Sequence, residues 1–441
     1  MGFDRVAAGL DIGSTNLKAI IISPEGRVVG RAAVPTPRRL EDRMIDATFL
    51  LHEASKLLRS LCSDRYRIAA IATAGIGEDG MLVDSSLAPL SPALPWFDPQ
   101  RHALYAAFAA DLPTGNATGI VPDPFRTLGG WYWSARQSGH EQAQTWLAIS
   151  DYPSAFWSSQ AFMSDTLASR TAAYLPRTGN WVPESVAATL GNPALLPQVR
   201  RTGSIIGPVI QAGSGESPFS DDAVAVVGGH DHPIGGWGIN QITPGAILDS
   251  MGTAEVIVTQ APAYPDPFPQ DLDIAPGILS SGATLIRVEE LARNLAWASS
   301  DEILADAIRA LFAGTVQPDS FLDSSCFTPG SHGGHDPRFS ADAPSSPLSR
   351  ASAVVGALAR IGADSVDYLG AMTQGDRALY ISGGWSRAPG WVAIKQRFSK
   401  RPFRVVREPE LTAASAALLA ARAIGWAPSA SDLLMPNSDS A

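Results

Sequence analysis

Alternating stretches of apolar and polar residues predict a chain built from short buried strands, turns and helices. At the start, the apolar runs Val6–Leu10 and Leu17–Ile22 and the alternating run Arg27–Ala33 predict three strands joined by turns. The spacing of apolar residues over Phe49–Leu61 is typical of an amphipathic helix, and Ile68–Ala74 predicts a fourth strand. The first part of the chain therefore predicts a sheet covered by helix.

The later part of the chain repeats this design. The apolar run Ala223–Val227 predicts a strand that stops at two glycines, and a second apolar run follows at Ala246–Leu248. Further elements are predicted as a helix at Leu348–Leu369, a strand at Ala378–Ser382 and a helix at Leu411–Ile424. Each half thus holds strands that end in glycine and polar residues, which predicts two α/β domains facing a cleft.

The polar residues directly after the Ala223–Val227 strand and its glycines are His230, Asp231 and His232. One interpretation makes Asp231 a catalytic base that accepts the proton of an attacking hydroxyl group. Another makes His230 and His232 ligands of Zn²⁺, because one intervening residue is a known ligand spacing, with His332, His335 or Asp336 as candidates for a further ligand. A third treats the histidines as hydrogen-bonded wall residues.

Three glycine-and-hydroxyl turns favour the first interpretation, since a zinc hydrolase has no need of turns suited to phosphates and a purine. Glycine lets phosphate oxygens approach the backbone, and hydroxyl groups and amides can bond them. The first turn follows Asp11, a carboxylate placed to hold Mg²⁺. The candidate residues of the three turns are Gly13, Ser14, Thr15 and Lys18; Ser250, Gly252 and Thr253; and Gly383, Gly384 and Ser386.

A fourth group of residues is suited to binding a polyol. Carboxylates accept hydrogen bonds from neighbouring hydroxyls, and an indole face covers the C–H groups of a sugar. The candidates are Glu78, Asp79, Trp96, Asp98 and Arg101, together with His230 and His232. An alternative is that Asp98 and Arg101 form only a surface ion pair.

Composition narrows the class of protein. The chain has 441 residues with 33 basic and 43 acidic side chains, a net charge of −10, and an isoelectric point near 5.2. An acidic chain is not expected to bind nucleic acid or anionic membranes in general. Two cysteines, no apolar run of membrane-spanning length and no signal-peptide pattern at the start lead us to expect a cytoplasmic protein.

Several of these motifs, in this order, resemble the FGGY carbohydrate kinase family. AGLDIGSTNLKAI looks like its first phosphate motif, WFDPQR its W-x-D-x-R segment, and SDTLASRT its D-x-S-x-A-S-R-T stretch. GGHDH is similar to the loop with the catalytic Asp, DSMGTAEVI to the second phosphate motif, and ISGGWSRAPGW to the adenosine segment. The GIGEDG loop departs from the sugar loops of xylulose and glycerol kinases, and Ser415 stands where a glycine is usual.

The resemblance implies two ribonuclease-H-like domains of the actin and hexokinase superfamily, each a mixed sheet flanked by helices, with a cleft between them. It implies that residues 1–235 bind sugar and carry the base Asp231, and that residues 236–441 bind ATP. We expect Asp11 to serve a Mg²⁺ ion, and the three turns to hold ATP. The expected partners are a small sugar or polyol and ATP, and a homodimer is the candidate assembly. A nucleotide- and sugar-binding sensor without turnover is a further alternative.

Overall fold

The computed structural model describes residues 3–210, 216–252, 254–331, 335–373 and 378–436. In roughly the first half of the chain the strands are β1 (Asp4–Ile12), β2 (Asn16–Ile22), β3 (Val28–Pro35), β4 (Tyr66–Gly75), β5 (Gly80–Val83), β6 (Thr145–Ala148), β7 (Met163–Ser164), β8 (Tyr174–Leu175), β9 (Asn180–Trp181), β10 (Val199–Arg200), β11 (Ile205–Pro208) and β12 (Phe219–His230). The later strands are β13 (Ile247–Met251), β14 (Glu255–Ala261), β15 (Asp273–Pro276), β16 (Ala283–Glu289), β17 (Phe327–Thr328), β18 (Arg338–Phe339), β19 (Leu379–Ser382) and β20 (Phe403–Val405).

The helices alternate with these strands. They are α1 (Ala47–Cys62), α2 (Gln100–Ala106), α3 (Thr127–Ser134), α4 (Tyr152–Ser158), α5 (Asp165–Arg170), α6 (Pro183–Thr189), α7 (Asp231–Ile242), α8 (Leu291–Ala298), α9 (Glu302–Ala313), α10 (Pro347–Met372), α11 (Pro389–Phe398), α12 (Leu411–Ala423) and α13 (Ala430–Leu434). None of the described helices has both the length and the apolar run that crossing a membrane requires.

The chain divides into two compact units. The first comprises Met1–Gln241, Pro262–Thr284 and Glu410–Ala441, and the second comprises Ile242–Ala261 and Leu285–Pro409. This division differs from the expected boundary after residue 235, since segments 262–284 and 410–441 join the first unit. For the last segment the reason is packing, because α12 lies so close to β1 that a Cβ on Gly9 would fall 1.9 Å from the Ala413 carbonyl oxygen.

The sheet of the first unit has the strand order β11-β12-β4-β1-β2-β3. Its three central strands, β12, β4 and β1, run parallel, whereas β2, β3 and β11 pair antiparallel with their neighbours. Parallel strands are buried on both faces, and β1 and β4 accordingly read as continuous apolar runs. The carboxyl ends of the three parallel strands therefore meet at one edge of this sheet.

The strands of the second unit's sheet lie in the order β16-β14-β13-β19-β20. The pair β13–β14 is an antiparallel hairpin, while β13, β19 and β20 run parallel. Helices α9 and α10 begin at side-chain caps, Asp301 and Ser346, and α9 ends at Gly314 in the left-handed region. The predicted α/β class, with two mixed sheets flanked by helices, is confirmed.

Helix α7 was not predicted from the sequence, because four of its twelve residues are glycine or proline. Close packing explains it. A Cβ on Gly238 would lie 2.0 Å from the Ser415 hydroxyl of α12, so only glycine allows α7 to approach this closely. Both cysteines, Cys62 and Cys326, are buried and free.

Candidate active site

Asp231 lies at the junction of β12 and α7, at the edge where the parallel strands end. Its side chain is 25% exposed, and its Oδ1 accepts a hydrogen bond of 2.7 Å from the His232 amide. Burial is the main cause that raises the pKa of Asp231 above its ordinary value of 3.8, and the nearby His232 opposes it. A partly exposed carboxylate with raised proton affinity at a strand end is suited to accept a proton.

Asp11 lies at the end of β1, one strand removed from β12, and is the cross-strand partner of Lys18 on β2. Burial raises the pKa of Asp11 to about 8, and the Asp231 carboxylate is the next largest cause. Among the described residues its buried Oδ1 has no hydrogen-bond partner. The structure thus brings together the predicted base and the predicted metal-site residue, and leaves a buried oxygen on Asp11 available to a cation.

The turn after β1 contains the first predicted phosphate residues. The Gly13 amide donates to the Asn16 carbonyl over 3.0 Å, which closes the turn between β1 and β2. Lys18 projects from β2, where its Nζ lies 2.6 Å from Glu410 Oε2, just before α12. Lys18 is therefore part of the same strand-end region, but its ammonium group is already paired with a carboxylate.

Glu78 follows β4 and belongs to a buried network that sequence reasoning missed. The Arg170 guanidinium donates to Glu78 Oε1, with Nε at 2.8 Å, and also pairs with Asp273. Arg126 in turn donates to both oxygens of Asp273 over 2.9 and 3.0 Å. The SDTLASRT stretch was a signal for Arg170, but nothing in the sequence pointed to Asp273, which lies 103 residues further along the chain.

Asp79 is fully buried, and neither of its carboxylate oxygens has a hydrogen-bond partner in the described part of the chain. Burial raises its pKa to about 7, against the opposing charges of Arg101 and Arg38. Arg101 Nη2 lies 3.7 Å from Asp79 Oδ1. Asp79 is therefore a carboxyl group that can hold a proton near neutral pH.

The segment carrying Trp96, Asp98 and Arg101 is held in place by hydrogen bonds to backbone and side-chain groups. Asp98 Oδ1 accepts from the Gln100 amide at the start of α2. Arg101 is buried and donates to the carbonyl oxygens of Pro95, Leu94 and Arg126. The surface ion pair is wrong for Arg101, because its side chain is buried and its guanidinium group donates to backbone carbonyls. The indole of Trp96 is half-buried and donates to the Ser14 hydroxyl over 3.1 Å.

The two histidines flank Asp231 closely. Their Nε2 atoms lie 3.2 Å (His230) and 3.7 Å (His232) from Asp231 Oδ1. Potential ligand atoms of the three residues lie within 4.8 Å of one another, and this is the one such grouping among the described residues. Burial lowers the pKa of His230 well below its ordinary value, so its ring is neutral, as a metal ligand or a hydrogen-bonding wall residue would be.

The other residues of the zinc interpretation lie in the second unit. His335 Nε2 is 2.9 Å from the Pro329 carbonyl oxygen, Asp336 pairs with Arg293, and His332 lies outside the described residues.

The two remaining predicted turns lie side by side in the second unit, because β13 and β19 are parallel neighbours in which Ser250 pairs with Ser382. Gly383 has a φ of +87°, and a Cβ there would lie 2.3 Å from the Met251 carbonyl oxygen, so glycine is required. A Cβ on Gly384 would meet no atom within 4 Å, which leaves its backbone open. Ser386 donates back to the Gly383 carbonyl, and Gly252 accepts from the Trp385 indole. Thr253 lies outside the described residues.

Comparison with known proteins gives a family match over the first half of the chain. The model of the N-terminal domain of the FGGY family of carbohydrate kinases matches residues 6–238. A xylulose kinase from Streptomyces rubiginosus is 27% identical over 271 residues, which cover 59% of this chain and 56% of that protein. The chain therefore aligns with little more than half the length of that relative.

Two further comparisons extend along nearly the whole chain. An L-fuculokinase from Escherichia coli (strain K12) is 23% identical over 450 residues, covering 95% of this chain and 91% of the relative. The crystal structure of gluconate kinase from Lactobacillus acidophilus superposes with a TM-score of 0.82 over 98% of this chain and 92% of that one, at 17% identity. At that identity the superposition shows the fold alone.

Proposed function

The chain belongs to the FGGY family of carbohydrate kinases, and on this premise we propose that it transfers the γ-phosphoryl group of ATP to a hydroxyl of a free sugar, ketose or sugar alcohol. The observation that carries the proposal is the meeting of Asp231 and Asp11 at one sheet edge. Each side chain belongs to a motif that resembles the family's, and Asp231 is among the causes that raise the pKa of Asp11.

In this proposal Asp231 orients the attacking hydroxyl and accepts its proton. Phosphoryl transfer asks little covalent chemistry of the protein, so most of the acceleration comes from positioning and from charge stabilisation. A carboxylate whose pKa is raised by burial is a better base near neutral pH than an exposed one. The start of a helix holds it in place through the His232 amide.

Asp11 is our candidate for the metal site. Its buried Oδ1 lacks a hydrogen-bond partner in the described part of the chain, and a carboxylate oxygen is the ligand type that Mg²⁺ prefers. Mg²⁺, when bound with ATP, would neutralise charge on the phosphate oxygens. The residues present therefore fit the ion.

The remaining assignments follow the turns. We assign the phosphates to Gly13, Ser14, Thr15 and Lys18 in the first unit and to Ser250, Gly252 and Thr253 in the second. The adenosine is assigned to Gly383, Gly384 and Ser386, where the open backbone at Gly384 suits a flat ring. The sugar is assigned to the region of Glu78, Asp79, Trp96, His230 and His232, with Asp98 and Arg101 shaping the segment that carries Trp96.

The charge balance near Asp231 supports a neutral sugar over a sugar acid. Arg170 pairs with Glu78 and Asp273, and Arg126 pairs with Asp273, so neither guanidinium group is left for a substrate carboxylate. The cytoplasmic location and the homodimer stay predictions.

A zinc hydrolase is the second candidate, because His230, Asp231 and His232 are close enough to share one ion. The two proposals predict different metals: Mg²⁺ with ATP for the kinase, and bound zinc for the hydrolase. Stoichiometric zinc in the purified protein, with hydrolysis that a chelator abolishes and with no ATP turnover, would favour the hydrolase.

The test is a kinase assay that follows ADP release over a panel of xylulose, L-fuculose, gluconate, pentoses, hexoses and polyols, with product detection by mass. We expect a phosphorylated neutral sugar, and we expect Asp231→Asn to lose about 10²- to 10⁴-fold in kcat with little change in sugar binding. Asp231→Asn turning over at the parent rate would refute the assignment of the base. ATP and sugar binding with no phosphorylated product would favour the sensor alternative.

A further inference from the structure

The segment after β3 holds every carbonyl group of the Gly13–Thr15 turn. The Thr36 hydroxyl donates to the Gly13 carbonyl over 2.6 Å, and the Thr36 amide donates to the Thr15 carbonyl over 2.9 Å. Arg38 donates to the remaining carbonyl, that of Ser14, from Nε at 3.2 Å and Nη2 at 3.1 Å. Residues 36–38 therefore fix the orientation of all three peptide groups.

This tethering has a direct consequence for the amides of the turn. In a trans peptide the carbonyl and the following N–H point in opposite directions. With the Gly13 and Ser14 carbonyls turned toward residues 36–38, the N–H groups of Ser14 and Thr15 point away from them. Successive N–H groups on the same side of a turn are the arrangement that binds phosphate oxygens. In this turn the arrangement depends on the hydrogen bonds from Arg38 to the Ser14 carbonyl.

Arg38 also contacts the segment that carries Trp96. Its guanidinium lies 5.0 Å from the centre of the Phe97 ring, a cation–π distance. The neighbouring Trp96 indole donates to the Ser14 hydroxyl. Ser14 is thus held through its carbonyl by Arg38 and through its side chain by Trp96, and the two holders are linked through Phe97.

We propose that Arg38 is a positioning residue that orients the phosphate turn Gly13–Thr15 and couples it to the sugar segment 92–101 through Phe97 and Trp96. This inference rests on the proposed kinase function. In that function, a sugar that contacts Trp96 would change the geometry of the phosphate turn. Arg38 does not touch the reacting atoms in this proposal. It acts through Ser14.

The neighbouring Arg39 provides a matched control. Arg39 has the same charge, but it pairs with Glu41 and Asp42 rather than with the turn. The variants are Arg38→Met, Arg38→Lys and Arg39→Met. Lysine at position 38 keeps the charge and one donor to the Ser14 carbonyl, but loses the planar fork and its stacking on Phe97.

The first measurement is hydrogen exchange of the full chain by mass spectrometry, without ligand. Arg38→Met is expected to raise exchange about 10-fold in peptides covering residues 12–17 and 93–98, because the loss of a charged hydrogen-bond donor loosens both. Arg38→Lys should lie between, and Arg39→Met should match the parent. Equal exchange in Arg38→Met and Arg39→Met would overturn the coupling.

The second measurement is steady-state kinetics with the best sugar of the panel. Arg38→Met should lower kcat about 10- to 100-fold and abolish any improvement of the KM for ATP by saturating sugar, with partial rescue in Arg38→Lys. A purely structural role would lower the melting temperature while leaving these constants unchanged in the folded fraction, which would contradict the proposal. If Arg38→Met does not fold, Arg38→Lys against Arg39→Lys decides by the same readouts.

The two measurements separate the inference from the function beneath it. If the parent protein phosphorylates no sugar but Arg38→Met still raises exchange in both segments, the coupling of the segments holds and the kinase function fails.

Discussion

Lys395 is buried between two carboxylates at the base of the second unit's turn at Ser250–Gly252, where we propose phosphate binding. Its Nζ lies 2.6 Å from Asp249 Oδ2 on β13 and also pairs with Glu255 on β14. These two strands form the hairpin that carries Ser250 and Gly252, whereas Lys395 belongs to α11, which follows the Gly383 turn. One ammonium group thus joins the hairpin to the helix.

We predict that Lys395→Met destabilises the protein by about 3–5 kcal/mol near pH 8, the usual cost of removing one partner from a buried ion pair. The three side chains are only 1–2% exposed, so water cannot replace the lost ammonium group. The matched control is Lys400→Met. Lys400 is 79% exposed where it pairs with Asp367, and its loss should cost no more than about 1 kcal/mol.

The penalty should depend on pH in one direction. Burial, followed by the Asp249 charge, raises the pKa of Glu255 from 4.5 to about 8, while Lys395 lowers it. Removing the lysine raises the folded pKa further. A carboxyl group whose pKa is raised by folding contributes stability that is lost as the pH rises through that folded pKa. The cost of Lys395→Met should therefore be smaller at pH 6 than at pH 8.5.

The assay is urea unfolding of the parent, Lys395→Met and Lys400→Met at pH 6 and pH 8.5, followed by circular dichroism with the slopes compared. Adding Glu255→Gln to Lys395→Met should recover part of the loss at pH 8.5, since it removes a buried carboxyl group that has lost its ammonium partner. The reasoning fails if Lys395→Met costs no more than Lys400→Met at pH 8.5, or if its cost falls as the pH rises.

Two further stability predictions follow from other buried polar groups. Ser415 is fully buried, and its hydroxyl has no hydrogen-bond partner in the described structure. Ser415→Ala should therefore be neutral or stabilising by up to about 1 kcal/mol in thermal unfolding. A clear loss of stability would show that the hydroxyl has a partner. Burial raises the pKa of Asp151 from 3.8 to about 7. The parent therefore loses stability as the pH rises from about 4 to about 7. Asp151→Asn should gain stability relative to the parent between pH 5 and pH 8. Parallel pH–stability curves for the two proteins would contradict this assignment.

The elements closest to the site were predictable because their pattern is local. Apolar runs fix where strands form, and the glycines that follow fix where they end, so Asp11 and Asp231 were expected at strand ends. The meeting of these two residues then follows from β1, β4 and β12 being parallel.

Other parts of the site depend on contacts between distant residues. The pairing of Arg170 with Asp273 joins positions 103 residues apart, and no periodicity in the sequence records it. The same holds for Lys395, which meets carboxylates 140 and 146 residues away. Arg101 was recognised as important, but its three bonds to backbone carbonyls gave it a structural role that its residue type did not reveal.

Strand direction explains why the proposed chemistry collects where it does. The parallel strands β12, β4 and β1 deliver Asp231, Glu78 and Asp11 to one edge, and three carboxylates in one place repel each other. The three carboxyl groups have different partners. Arg170 forms an ion pair with Glu78, and the His232 amide donates a hydrogen bond to Asp231. Asp11 has a buried oxygen without a hydrogen bond in the described structure. Of the three, Asp11 is the carboxyl group left with an unsatisfied buried oxygen in the described structure, and for this reason we propose it as the metal-site residue.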